Sequence, residues 1–251
     1  MSANRLLLNP TKTEVLWCSS HRLLNLIPVD PVRINNTLML PVTSVCDLGV
    51  YIDADTAMTS HVVTTVRSCF ASLRQIRSVR RSIPRHALLT LIRALVISRV
   101  VYCNFVLAGI SGRLMARLQS VLNAAARLVF KTRMREPITP LLRELHWLGV
   151  PERNEFRLCV LAYRCLQGTA PPYLASGLHR TTENSARRGL RSADTTSLLV
   201  PSTRRETLGD RAFFVAASRA WNSLSPALRG TTSLVTFRRD LKAVLFPKSF
   251  C

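Results

Sequence analysis

The hydrophobic pattern of this chain changes period once, between Asp53 and Met58. Before that point two short stretches, Thr13 to Cys18 and Val45 to Ile52, alternate as strands do, with loops and a segment rich in Leu, Val and Pro between them. After Ala57 the apolar residues recur at helical spacing. Two short strands bury too little apolar surface to stand alone, so this front piece reads as the trailing edge of a larger sheet. The expected fold is mainly α: a small N-terminal β piece over 1–56, a helical bundle over 57–136 and a further helical region over 137–251.

The helical segments differ in which faces they leave polar. Met58 to Arg81 puts Val62, Val66, Leu73 and Ile76 on one face and Arg67, Arg74, Arg77 and Arg81 on the adjacent one. Ser82 is a candidate cap for the next helix, with Pro84 near its first turn, and Arg85 to Val101 is apolar on most sides and reads as a central helix. Gly112 to Phe130 is the clearest amphipathic segment: Leu114, Leu118, Val121, Leu122, Ala125 and Val129 share one face, and Arg113, Arg117 and Arg127 the opposite one. Three helices with short links make a small bundle.

Lys131 to Glu136 is a charged link, and Ile138 to Leu145 a short helix. Pro151 opens a helix from Glu152 to Gln167, with Phe156, Cys159, Val160 and Tyr163 expected inward and Arg153, Arg157 and Arg164 outward. From His179 to Arg205 the composition turns to Ser, Thr and Arg without period, so 179–205 is expected to be a flexible basic segment and a candidate boundary. Asp210 is a candidate cap for Arg211 to Leu224, where Phe213, Phe214, Ala217 and Trp221 form a face. The last helix, Leu234 to Phe246, carries Phe237, Leu241 and Leu245 in step.

Charge narrows the function class. The formal net charge is +21, and arginine supplies 31 of the 35 basic residues. That excess favours a polyanion such as nucleic acid, and the planar guanidinium suits phosphate. The seven cysteines form no C-x-x-C pair, so they read as reduced, mostly buried thiols of an intracellular protein, in nucleus or cytoplasm and not secreted. Ala87 to Ile110 comes nearest to a membrane segment, but Arg93, Arg99 and Asn104 interrupt it. The five histidines are scattered, and no phosphate-binding glycine loop or nucleophile elbow occurs, which leaves hydrolase and metalloenzyme readings without residues. Asp53 and Asp55 form an Asp-x-Asp at a strand end, read as capping and surface residues in preference to metal ligands. His146-Trp147 reads as a packing knob, with Trp147 the alternative stacking surface for a base.

One ordered series of motifs carries a family resemblance. Leu8-Asn9-Pro10-Thr11-Lys12-Thr13-Glu14 and Leu48-Gly49-Val50-Tyr51-Ile52-Asp53 are followed by Ile138-Thr139-Pro140-Leu141-Leu142, Glu144-Leu145-His146-Trp147-Leu148, Ala170-Pro171-Pro172-Tyr173-Leu174, Leu190-Arg191-Ser192, Gly209-Asp210-Arg211-Ala212-Phe213 and Ala220-Trp221-Asn222-Ser223-Leu224. The series is similar to the last palm motifs and downstream region of non-LTR (LINE-type, jockey-like) retrotransposon reverse transcriptases.

The resemblance implies the end of a polymerase palm, a thumb formed by the bundle, and a helical downstream region. It places Lys12 in the loop beside the active site and Leu48-Gly49-Val50 in the hairpin that grips the primer strand. It implies RNA-directed DNA synthesis for the complete enzyme, with two magnesium ions held by palm carboxylates. The carboxylate-bearing motifs, including a Tyr/Phe-Ala-Asp-Asp turn, would stand before Leu8, and the sequence has no Asp-Asp pair. The expectation is therefore a chain without catalytic aspartates, a metal site or a cofactor of its own, binding RNA or an RNA–DNA duplex through Arg67, Arg74, Arg77, Arg81, Arg113, Arg117 and Arg127. The alternatives are a non-enzymatic helical module docking acidic protein, a polymerase completed by another chain, and a degenerate genomic remnant.

Overall fold

The computed structural model describes residues 9, 12–34, 37–183, 196–203 and 209–250. The chain forms two compact units, Met1–Thr64 and Thr65–Cys251, and the division falls inside one helix. Helix dominates among the described residues.

The described residues of the first unit form six short strands. β1 (Val15–Leu16) pairs in parallel with β4 (Pro41–Val42), β2 (Val32–Ile34) pairs antiparallel with β3 (Thr37–Met39), and β5 (Ser44–Asp47) pairs antiparallel with β6 (Val50–Asp53). The stretch from Val45 to Ile52, expected as one strand, is thus a hairpin. Leu48 and Gly49 both take positive φ, 46° and 81°, which is the backbone a tight two-residue turn demands. A two-residue turn keeps the alternation in phase, Val45 opposite Ile52 and Asp47 opposite Val50, so the pattern runs through it unbroken. The Leu-, Val- and Pro-rich middle segment supplies β2, β3 and β4, which period alone did not reveal.

Asp53 ends β6 almost buried, and its Oδ2 accepts from the Ser60 amide at 3.1 Å at the start of α1 (Thr59–Val79). Asp55 Oδ1 accepts from the Ala57 amide at 2.9 Å. Both carboxylates satisfy backbone donors, as the capping reading of the pair expects.

The second unit begins within α1, whose buried face includes Val66, Leu73 and Ile76 as the period predicts, with Cys69 added. Ser82 belongs to a 3-10 turn, Arg80–Ser82, and caps nothing. Pro84 takes the N-cap position of α2 (Arg85–Ile92) because its fixed φ of −70° and extended ψ suit the entry to a helix.

The central helix is neither regular nor apolar all round. Only Leu88, Ile92, Val96 and Val100 are buried along it, at intervals of four, while Arg93, Ala94 and Ser98 are exposed. A step of four in an α-helix drifts about 40° per repeat. The chain absorbs the drift in a π turn, Arg93–Ile97, where the Ser98 amide donates to the Arg93 carbonyl five residues back, before α3 (Ser98–Val101). The Cys69 thiol donates to Val96 O at 3.7 Å, and Arg99 reaches the Ser72 hydroxyl at 2.9 Å, tying this segment to α1.

α4 (Gly112–Phe130) has the expected bounds and buries all six residues of its expected apolar face; Ser111 accepts from the Leu114 amide as its cap. Then come α5 (Thr139–Glu144), α6 (Val150–Leu166), α7 (Pro172–Ala175), α8 (Phe213–Asn222), α9 (Pro226–Arg229) and α10 (Leu234–Lys248). α6, α8 and α10 meet around Phe237, whose ring stacks on Tyr163 at 4.6 Å and lies 5.8 Å from Trp221. Gln119 of α4 accepts from the Val150 amide at 2.9 Å, so the bundle and the region after 137 adjoin within one unit.

Three further expectations are corrected. Asp210 does not cap α8, whose N-cap is Ala212; its Oδ1 instead accepts from Thr203 Oγ1 and Arg219 Nη2, each at 2.9 Å. Arg153 turns inward, half-buried, and its Nε donates to Leu148 O at 2.8 Å. Within 196–203, assigned to the flexible segment, Leu198 is buried while 200–202 are exposed; Asn222 bonds both the amide and the carbonyl of Leu198 at 2.8 Å, and Trp221 Nε1 donates to Thr196 O. A single antiparallel bridge to Arg180, with the Thr181 amide donating to Ser197 O at 3.0 Å and the Leu199 amide to His179 O at 2.9 Å, joins the side chains of Asn222 and Trp221 in holding a segment without period. Residues 184–195 and 204–208, with Arg187, Arg188, Arg191, Arg204 and Arg205, lie outside the described residues.

Candidate nucleic-acid interface

The apolar face of α1 turns its basic stripe to the adjacent side, so Arg67, Arg74, Arg77 and Arg81 all stand exposed. α4 does the same with Arg113 and Arg117. Toward the C-terminal ends of the two helices lies a cleft of about 1220 Å³ lined by Arg77, Arg80, Arg81, Arg127 and Lys131, with Phe70 and Met134 as apolar walls. No carboxylate lines it among the described residues.

Local chemistry accounts for the convergence. The last carbonyls of a helix lack intrahelical partners and carry partial negative charge. Arg80 answers this by donating from Nη2 to Val129 O at 3.1 Å. Lys131 takes the left-handed C-cap conformation of α4, φ 61°, and its amide donates back to Arg127 O, placing its ammonium beside the helix end. The Nε atoms of Arg80 and Arg127 are enclosed without a hydrogen-bond partner, so the guanidinium groups keep donor capacity unspent. Parallel guanidinium N–H bonds are the geometry that holds phosphate oxygens.

Three of the seven arginines expected to bind, Arg77, Arg81 and Arg127, come together here. Arg67 and Arg74 continue the α1 stripe outside the cleft. Arg113 and Arg117 lie near the other end of α4, about 15–21 Å along its axis from Arg127 at the α-helical rise. Sequence reasoning missed Arg80 and Lys131; the signal for Lys131 is its place directly after the last residue of an amphipathic helix, where a cation suits the dipole. Lys12 is exposed, consistent with a loop cation. Trp147 is buried, as the packing reading expects, while His146 sits exposed with its ring 5.7 Å from Phe246.

Among the described residues no cluster of carboxylates that could hold a pair of magnesium ions is found. Asp53 and Asp55 are each spent on a backbone amide, and among the described residues no three His, Cys, Asp or Glu side chains gather as ligands. The described cysteines are free: Cys69, Cys159 and Cys165 are buried, Cys103 is intermediate, and Cys18 and Cys46 are exposed, so three of these six thiols are buried where most of the set was expected to be. Among the described residues no helix is long and apolar enough to cross a membrane. Comparison of the chain with protein-family models, curated proteins and solved structures gave no match.

Proposed function

We propose that this chain binds RNA or an RNA–DNA duplex in the cleft between α1 and α4, as the thumb and flanking parts of a non-LTR retrotransposon reverse transcriptase bind template and primer. The observation that carries the binding is the convergence of Arg77, Arg80, Arg81, Arg127 and Lys131 on one cleft with no carboxylate among its described lining residues. Five like charges repel, and a polyanion relieves that repulsion while releasing its own counterions. The ordered motif series supports the family reading, and so does a hairpin that turns at Leu48-Gly49, where the resemblance implies a primer grip. In this reading 1–56 is the end of the palm, 57–136 the thumb and 137–251 the downstream region. The chain works where nucleic acid is, in nucleus or cytoplasm, and supplies binding without polymerase chemistry.

Arg77 and Arg81 are exposed, so reversing both to Glu tests the cleft without disturbing the core. Affinity for an RNA–DNA duplex is expected to fall at least about tenfold, and the slope of log affinity against log salt to flatten by roughly 2, one for each lost phosphate contact. Unchanged affinity rejects the cleft as the binding site. A shallow salt dependence in the parent chain favours acidic protein as the partner instead.

A further inference from the structure

A second cluster of cations lies elsewhere in the same unit, unconnected with the α1–α4 cleft. Arg93 from the π turn, Arg153 and Arg157 from α6, and Lys242 from α10 line a cleft of about 460 Å³, again with no carboxylate among its described lining residues. Of the acids nearby in sequence, Glu144 pairs with Arg85 at 2.8 Å, Glu155 with Lys248 at 2.7 Å and Asp240 with Arg239 at 2.9 Å, and Glu152, next to Arg153, does not line the cleft. Arg93, Arg157 and Lys242 make no hydrogen bond or ion pair with another described residue and stand exposed at the rim. Arg153 is deeper. Its bond to Leu148 O fixes the guanidinium while leaving the Nη groups unengaged, and burial, with Arg157 beside it, pulls its pKa down to about 10.

Two further observations point to a ligand. Asn104 is 2% exposed, lines the same cleft, and its Oδ1 has no hydrogen-bond partner, an unusual state for a buried amide. Arg93 and Ile97, the two ends of the π turn, both line the cleft, and such single wide turns recur at functional sites. The cleft is also roomier than a bare phosphate needs and falls within the range of small-molecule sites, about 300–1000 Å³.

We propose that this cleft binds an organic phosphate, its phosphate held by Arg93, Arg153, Arg157 and Lys242 and a hydroxyl or amino group of its body donating to Asn104 Oδ1. The phosphate has two possible sources, a free nucleotide or the phosphorylated 5′ end of a strand. The site does not depend on the duplex-binding reading above.

The test uses the full chain and three probes in calorimetric titrations: adenosine 5′-monophosphate, a 5′-phosphorylated hexanucleotide, and the same hexanucleotide without the phosphate. Saturable binding of either phosphorylated probe is expected, weakened at least about tenfold by Arg157→Ala with Lys242→Ala, since each charged hydrogen bond lost is a large part of so small an interface. Arg135→Ala with Arg164→Ala removes the same charge from exposed positions that line neither cleft and should leave the affinity unchanged. Binding of the mononucleotide assigns the source to free nucleotide; binding of the phosphorylated hexanucleotide alone assigns it to a strand end. Absence of saturable binding by both phosphorylated probes, equal binding of the two hexanucleotides without mononucleotide binding, or equal weakening in the two double variants overturns the proposal.

Discussion

At the scale of single residues, burial decides which side chains carry charge. His61 is 4% exposed with Nδ1 unpaired, and burial lowers its pKa below the ordinary value near 6.5, against an opposing pull from Asp53. The unfolded chain therefore takes up a proton at His61 before the folded one does. Folded stability is expected to decline as pH falls through about 6.5 toward the lower folded value, and to be unaffected by this residue above it. Denaturant unfolding of His61→Gln should show a shallower pH dependence than the parent below about pH 6.5; identical slopes would mean the ring is not held neutral. Burial acts on thiols in the opposite direction. It pushes Cys69 up to about 11 and Cys159 up to about 12, so neither offers thiolate at neutral pH. Iodoacetamide should modify the exposed Cys18 and Cys46 in the native protein and Cys69 and Cys159 only after unfolding. Mass-mapped label on either buried thiol under native conditions would contradict that packing.

At the scale of elements, α4 and the segment α2–α3 solve the same problem differently. α4 places apolar residues at mixed spacings of three and four, which a regular helix keeps on one face. α2–α3 spaces them by four and needs the π turn to bring Val96 and Val100 back under Leu88 and Ile92. The two should respond oppositely to a one-residue deletion. Removing exposed Ala94 shortens the wide turn to a regular one and leaves Val96 and Val100 facing the core, so cooperative unfolding should survive. Removing exposed Ala116 rotates everything after it by about 100° and should abolish cooperative unfolding, as read by circular dichroism on heating. The faces of α1, α4 and α10 were legible because helical period is a local property. Period did not show the hairpin at Leu48-Gly49, which only the resemblance implied, because a two-residue turn leaves the alternation around it in phase; nor did it show the π turn, which depends on how the four-spaced residues meet the rest of the core.

At the scale of the molecule, segments remote in the chain complete one another. Residues 196–203 have no period to recommend them, yet Leu198 fills the core beside Trp221, with both backbone groups bonded to Asn222. Asn222→Ala leaves a buried amide and a buried carbonyl without partners and should cost about 2–4 kcal/mol in denaturant unfolding. Amide exchange at residues 196–199 should accelerate with it; unchanged exchange would show that the segment is held by other means.

The sequence alone determined which residues could lie inward along each helix and how strongly basic the chain would be. Leu118, Leu122, Phe237 and Leu241 are all buried as their spacing requires, and +21 follows from counting. Only the tertiary structure decided which arginines meet. Arg127 joins Arg77 and Arg81 while Arg113 and Arg117 stay apart, and Arg153, expected outward, turns toward Arg93 and Lys242. The reason is one of range. A helical face is set by residues three and four apart, whereas a cleft is set by how separate helices pack, and that packing spans distances along the chain that no local pattern records.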